Sequence, residues 1–224
     1  NIKVVTKAHS FPHYQSYLSG PVSTFFEPVS LRLAAYYYDR KDYQQAYLYY
    51  TQLEKYAAKP NNIFTSKMGI MRCAYLLQNY TASVNYADQV KNTPGITQNN
   101  RLESEYVLGM GGYFLKNYSS AMPSLKWITK NTTTVKAAEA KYTIASIHFS
   151  NNQLDSTLLL TKELVKMKPN YTFWVAKALI LQTRVYMVQE NFVEANQTIT
   201  SVLDFYPIKT DDGILSEAQK VKEE

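Results

Sequence analysis

Few side chains in this sequence could support catalysis or metal binding. There are three histidines, His9, His13 and His148, and one cysteine, Cys73. His9 and His13 have the i, i+4 spacing of a helical metal-binding pair, but Pro12 between them opposes a helix. No cysteine or close acidic pair lies near them in the sequence to complete a metal site. We therefore predict no bound metal.

The sequence also lacks the motifs that carry nucleotide, phosphate or nucleophilic chemistry. It contains no Gly-x-Gly-x-x-Gly, no Gly-Lys-Ser/Thr and no Gly-x-Ser-x-Gly. Cys73 and His148 each lie within an apolar helical pattern, which is typical of packed side chains. A single cysteine also excludes an internal disulfide. The sequence predicts a protein that is not an enzyme, with no catalytic residue and no cofactor.

The distribution of charge indicates whether the protein binds nucleic acid. The formal net charge is +6, from 24 basic and 18 acidic residues. Basic residues are scattered among acidic ones, and Arg40 and Lys41 form the only adjacent basic pair, so we predict no nucleic-acid partner. No stretch approaches the roughly 20 apolar residues of a membrane span. No signal peptide is recognisable within these residues.

One short motif recurs through most of the chain. An aromatic residue or leucine is followed three positions later by a small residue, at intervals of 36 to 38 residues. The pairs are Tyr43 and Ala46, Tyr80 and Ser83, Tyr118 and Ala121, Leu154 and Thr157, and Phe192 and Ala195. Apolar residues follow each motif at helical spacing, so each motif predicts the start of the second helix of a helix-turn-helix unit. A regular period of such units indicates a helical solenoid.

The pattern resembles the tetratricopeptide repeat (TPR) family, in which a small residue sits where the two helices cross. Leu108-Gly109 is similar to the Leu-Gly pair of the family's first helix, and prolines (Pro60, Pro94, Pro169, Pro207) lie near the ends of four units. The resemblance implies an all-α, right-handed α-α superhelix of about five repeats with a capping helix. The expected repeats are 27–62, 63–99, 100–136, 137–171 and 172–207. Residues 1–26 are expected to be an irregular segment or the remnant of a preceding repeat, and 208–224 a cap opened by Asp211-Asp212.

In the TPR family the first helix of each pair lines the concave groove. Aligning this chain with the family pattern implies a partner-binding face suited to an extended peptide or a partner helix. The residues placed there are Tyr38, Tyr106, Phe114, Glu139, Tyr142, Ser146, Phe149, Ile180, Arg184 and Met187. The lysine and asparagine positions with which chaperone-binding TPR domains hold a terminal carboxylate are not matched.

Three segments are similar to long TPR proteins of the Gram-negative cell envelope, whose relatives include outer-membrane assembly lipoproteins of the BamD type. They are 71–75, 138–142 and 174–178. This resemblance implies a periplasmic or outer-membrane-associated scaffold of which this chain is the C-terminal part. The alternative is a cytoplasmic TPR adaptor or regulator whose effector domain lies outside this chain.

Overall fold

The computed structural model of the chain describes residues 25–207 and 212–224, and this part of the protein is helical without any strand. Its eleven helices form five consecutive pairs and one final helix. The pairs are α1 (Phe26–Asp39) and α2 (Tyr43–Tyr56), α3 (Pro60–Leu76) and α4 (Tyr80–Lys91), α5 (Gln98–Phe114) and α6 (Tyr118–Asn131), α7 (Val135–Ser150) and α8 (Leu154–Val165), and α9 (Thr172–Val188) and α10 (Phe192–Phe205); α11 is Ile214–Glu223. Within the described residues, no helix is long and apolar enough to cross a membrane.

We call α1, α3, α5, α7 and α9 the first helices, and α2, α4, α6, α8 and α10 the second helices. Every second helix begins at the aromatic or leucine residue of the repeated motif. The first helices begin at, or up to three residues before, the expected repeat boundaries. Pro60, expected at the end of the first repeat, instead opens α3, where its missing N–H costs no hydrogen bond. His9, His13 and Asp211 lie outside the described residues.

In the first two pairs, the turn between the helices is built the same way. Asp42 donates its backbone N–H to the Tyr37 carbonyl (2.9 Å) and so closes α1. Its side chain then accepts a hydrogen bond from the Gln45 N–H (3.1 Å) and so caps α2. Asn79 does the same between α3 and α4, through the Ala74 carbonyl and the Ala82 N–H. In these two turns, one residue therefore ends the first helix and begins the second.

In all five pairs, the residue before the N-cap position of the second helix has a left-handed backbone. These residues are Lys41, Gln78, Lys116, Asn152 and Glu190, with φ between 56° and 63°. None is glycine, although the left-handed region is unfavourable for residues with a Cβ atom. The same strained position at every repeat indicates that the helix-pair packing fixes the turn.

The helices divide into two compact units, residues 25–116 and 117–224 as far as they are described. Within each unit, every helix packs on its neighbours in sequence, and each first helix also contacts the next first helix. In the described residues of either unit, second helices make no such contact with one another. The first helices therefore lie on the inner side of each stack.

The small residues of the motif lie in the core. Ala46, Ser83, Ala121, Thr157 and Ala195 are all buried. Thr157 departs from the usual alanine, and its hydroxyl satisfies its hydrogen-bonding need by donating to the Gln153 carbonyl of the preceding turn (3.0 Å). The small-residue positions are thus core positions even where the residue is polar.

The core of the first unit contains ionisable groups that stay protonated. Tyr50 and Cys73 belong to a buried cluster with Leu33, Ala46 and Ile70. Burial raises the pKa of the Tyr50 hydroxyl and of the Cys73 thiol, each to about 12. In the unfolded chain these groups titrate near their ordinary values of 10.0 and 9.0.

We expect the stability to fall in alkali because of these two groups. Above pH 9 the unfolded chain releases protons that the folded chain retains, so unfolding becomes more favourable as pH rises from about 9 towards 12. The midpoint of urea unfolding, measured by circular dichroism between pH 8 and 11, should therefore decrease. Cys73→Ala should reduce the decrease from pH 9 upwards and Tyr50→Phe from pH 10 upwards. A midpoint that is constant over this range in the wild type would contradict the prediction.

The final helix, α11, closes the apolar end of the second unit. Its buried residues Ile214, Ala218 and Val221 pack in one cluster with Ile199 and Val202 of α10. The predicted Asp211-Asp212 cap differs from the structure, because the N-cap position is Gly213 with φ of 80°. Asp212 still contributes: its carboxylate accepts hydrogen bonds from the Ile214 N–H (3.2 Å) and from the Tyr206 hydroxyl.

Candidate functional site

In the first unit, the inner side of the first helices is held together by a charged pair and an aromatic pair. Arg72 of α3 donates through Nε and Nη2 to both carboxylate oxygens of Glu103 of α5, at 2.5 and 2.6 Å. Three residues further along each helix, the rings of Tyr75 and Tyr106 lie 6.0 Å apart. Because both contacts advance by the same three residues, α3 and α5 run parallel. The guanidinium of Arg72 is therefore held in a two-point pair with the Glu103 carboxylate.

Aromatic rings continue from this face to the turns between the helices. The ring of Tyr80 stacks on Phe114 with centroids 4.6 Å apart and meets Tyr75 edge-on at 5.8 Å. Phe114 is 45% exposed. At the first turn, Tyr38 packs against Tyr43. These side chains give the edge of the first unit rings that are partly open to a partner.

In the second unit, the corresponding face is built around Lys177 of α9. Its ammonium lies 5.6 Å from the centre of the Tyr142 ring of α7 and 2.6 Å from a carboxylate oxygen of Glu217 of α11. Tyr142 also packs against Trp174, with centroids 5.5 Å apart. Burial is the largest single effect and lowers the pKa of Lys177, but the hydrogen bonds and charge interactions with Glu217 and Tyr142 together outweigh it, so the pKa is raised. Lys177 is therefore a charged link between three helices.

The ten residues predicted for the partner-binding face fall into different environments. Tyr38, Tyr106, Glu139, Tyr142, Ser146, Phe149, Arg184 and Met187 are partly buried on first helices, and Phe114 is exposed. Ile180 is 1% exposed and packs in the cluster that contains Ile199 and Val202. The expectation that Ile180 faces a partner is therefore corrected: it is a core residue. Binding by the other nine stays a prediction.

Sequence reasoning missed several residues that shape this face. Arg72 could have been found, since it lies eight residues before Tyr80 as Arg184 lies eight residues before Phe192. Lys177 and Glu103 likewise occupy the repeat position of Glu139, fifteen residues before the next motif. The Lys177–Glu217 pair offered no such signal, because Glu217 lies in the final helix, outside the repeated motif.

No protein-family model and no curated protein matches this sequence. Several solved structures are similar in fold. YrrB, a TPR protein with an unusual peptide-binding site, matches with a TM-score of 0.63 and 15% identity over 94% of this chain and 98% of its own. MamA protein matches with a TM-score of 0.63 and 13% identity over 84% of this chain and all of its own.

A third similar structure is a Rap protein complexed with competence and sporulation factor. Its TM-score is 0.52, with 13% identity over 95% of this chain and 68% of that one. At these identities the similarity concerns the fold alone. Together with the repeated helix pairs and the buried small residues, it shows that this chain adopts the TPR solenoid fold.

Proposed function

We propose that this chain is a non-enzymatic scaffold that binds a peptide or partner protein on the inner side of its first helices. The observation that carries the proposal is the row of partly exposed aromatic side chains on that side, set beside charged groups. Tyr142, Phe149 and Trp174 in the second unit are examples. Rings with one polar edge give large contact area at low entropic cost and are common at protein interfaces.

The state of the single cysteine supports a binding role over a catalytic one. A nucleophilic cysteine needs an exposed thiol with a lowered pKa. Cys73 is completely buried, and burial raises its pKa to about 12. Its thiol is therefore an inert part of the core.

Site-specific photo-cross-linking in cells tests which surface binds. A photo-reactive residue is placed at Phe149, on first helix α7, in the full-length protein. The matched control places it at Leu159, which lies on second helix α8 and is 61% exposed. We expect adducts from Phe149 and none from Leu159. Adducts from Leu159 alone would show that the partner binds the outer surface, formed by the second helices, and would overturn the proposal.

The cellular location belongs to the same proposal. We place the protein in a bacterial cell envelope, as a periplasmic or outer-membrane-associated scaffold. The support for this is the resemblance of residues 71–75, 138–142 and 174–178 to envelope TPR proteins. Fractionation of cells that make the full-length protein, followed by identification of the Phe149 adducts, tests it. Recovery in the periplasm or with outer membranes is expected; cytosolic recovery with cytosolic partners would favour the adaptor alternative.

A further inference from the structure

Arg184, on the first helix α9, has a buried donor without an acceptor. Its Nε is inaccessible to solvent, and no group in the described part of the protein accepts a hydrogen bond from it. None of the ion pairs among the described residues includes Arg184. A buried charged donor is unfavourable unless it is paired. Arg184 is thus a cationic group in need of an acceptor.

The equivalent arginine in the first unit shows what such a position accommodates. Arg72 and Arg184 each lie eight residues before the first residue of their second helix. Arg72 is satisfied by the carboxylate of Glu103, which it binds through two parallel hydrogen bonds. The same position in α9 has the guanidinium but not the carboxylate. The repeat geometry therefore favours a carboxylate as the missing acceptor.

No carboxylate among the described residues forms an ion pair with Arg184. Helix α9 contains no acidic residue, and its other charged residue, Lys177, is already paired with Glu217. Lys177 of α9 contacts the ring of Tyr142 of α7. Arg184 lies seven residues after Lys177, and Phe149 lies seven residues after Tyr142. Seven residues are about two turns, or roughly 10 Å, in each helix. This places Phe149 near the level of Arg184.

An apolar groove adjoins this position. It has a volume of about 200 Å³ and lies among α9, α10 and the end of α11. Met187, one turn after Arg184 on the same helix, lines it together with Ile199 and Val221. Phe192 at its edge is 65% exposed. The two ionic residues that line it, Lys222 and Glu224, carry opposite charges and so leave the groove without net charge.

We propose that Arg184 and this groove form a subsite for an acidic residue that neighbours an apolar one in a partner peptide. The peptide carboxylate accepts hydrogen bonds from the Arg184 guanidinium, and the apolar side chain fills the groove beside Met187. This inference rests on the proposed function and narrows the partner to a segment with an exposed carboxylate. The first unit has no equivalent open arginine, since Arg72 is paired with Glu103.

Selection from a random dodecapeptide library displayed on phage tests the subsite with the intact chain as bait. We expect enrichment of Asp or Glu next to Leu, Ile, Met or Phe. The enrichment should disappear with Arg184→Gln as bait. It should persist with the double variant Arg72→Gln, Glu103→Gln, which removes the paired arginine of the first unit.

Affinities of one selected peptide, measured by calorimetry, complete the test. Changing its acidic residue to the amide, or Arg184 to Gln, should each weaken binding about 10- to 100-fold, and the two changes together should cost little more than either. Arg184→Lys should bind with intermediate affinity, because it keeps the charge and loses the planar fork. Peptides selected without an acidic preference, or a preference that survives Arg184→Gln, would overturn the subsite and leave the scaffold function standing. Failure to select any peptide would also overturn the subsite, whereas the scaffold function is decided separately by the cross-linking from Phe149.

Discussion

Gly69→Ala is expected to lower the free energy of unfolding by about 2 kcal/mol, although alanine is the better helix former. Gly69 lies inside α3, beneath the ring of Tyr50 from α2. A Cβ atom at this position would lie 2.4 to 2.5 Å from three ring carbons of Tyr50. Tyr50 is buried among core residues and cannot move its ring without disturbing them. The gain in helix propensity, about 1 kcal/mol, offsets only part of this overlap.

Gly111→Ala is the matched control, since Gly111 is also a buried glycine within a first helix. Its added Cβ would approach the Val84 Cγ2 methyl at 2.7 Å, and the next atom is 3.6 Å away. One methyl group is easier to displace than an aromatic ring, so we expect a change within about 1 kcal/mol of zero. The midpoints of urea unfolding measure both. Equal midpoints for the two variants would show that the Tyr50 contact does not limit packing.

Ile199→Ala is expected to destabilise the end of the second unit by about 2 to 5 kcal/mol. Ile199 of α10 is fully buried and shares its cluster with Ile214, Ala218 and Val221 of α11. Removing three carbon atoms leaves a cavity beneath α11, a short helix that packs only on α9 and α10 in the described structure. Because repeat stacks lose stability locally, the loss should appear first in α11.

Hydrogen exchange read by mass spectrometry measures this loss helix by helix. Amides of α11 should exchange faster in Ile199→Ala, while those of α1 to α4 should keep wild-type rates. The control variant is Phe205→Ala. Phe205 lies in α10, as Ile199 does, but its side chain is 84% exposed. That variant should leave α11 protected. Uniform acceleration across all helices in Ile199→Ala would contradict local unfolding.

The positions predicted best from the sequence are those that repeat. Tyr43 and Phe192 were expected to start second helices and do so, because turn chemistry and helix period act locally. Ala46 and Ala195 were expected at close crossings and are buried. The period of the motif contains this information without any knowledge of the three-dimensional structure.

The positions predicted worst depend on how neighbouring elements are rotated and aligned. Ile180 was assigned to the partner-binding face by alignment with the TPR family pattern, yet it packs in a core cluster with residues of α10 and α11. The Arg72–Glu103 pair depends on the alignment of α3 and α5, which no single repeat encodes. Gly69 is required by a ring from another helix, and its own neighbours in sequence give no sign of this.

The five left-handed turn residues have a practical use. All of them are exposed, and they include lysine, glutamine, asparagine and glutamate, so the turn does not depend on a particular side chain. Each can be changed to cysteine and labelled, while the buried Cys73 is shielded from the reagent. Lys41 and Gln78, for example, occupy the same place in successive repeats. A pair of spectroscopic labels at these two positions would show whether peptide binding changes the distance between successive turns of the first unit.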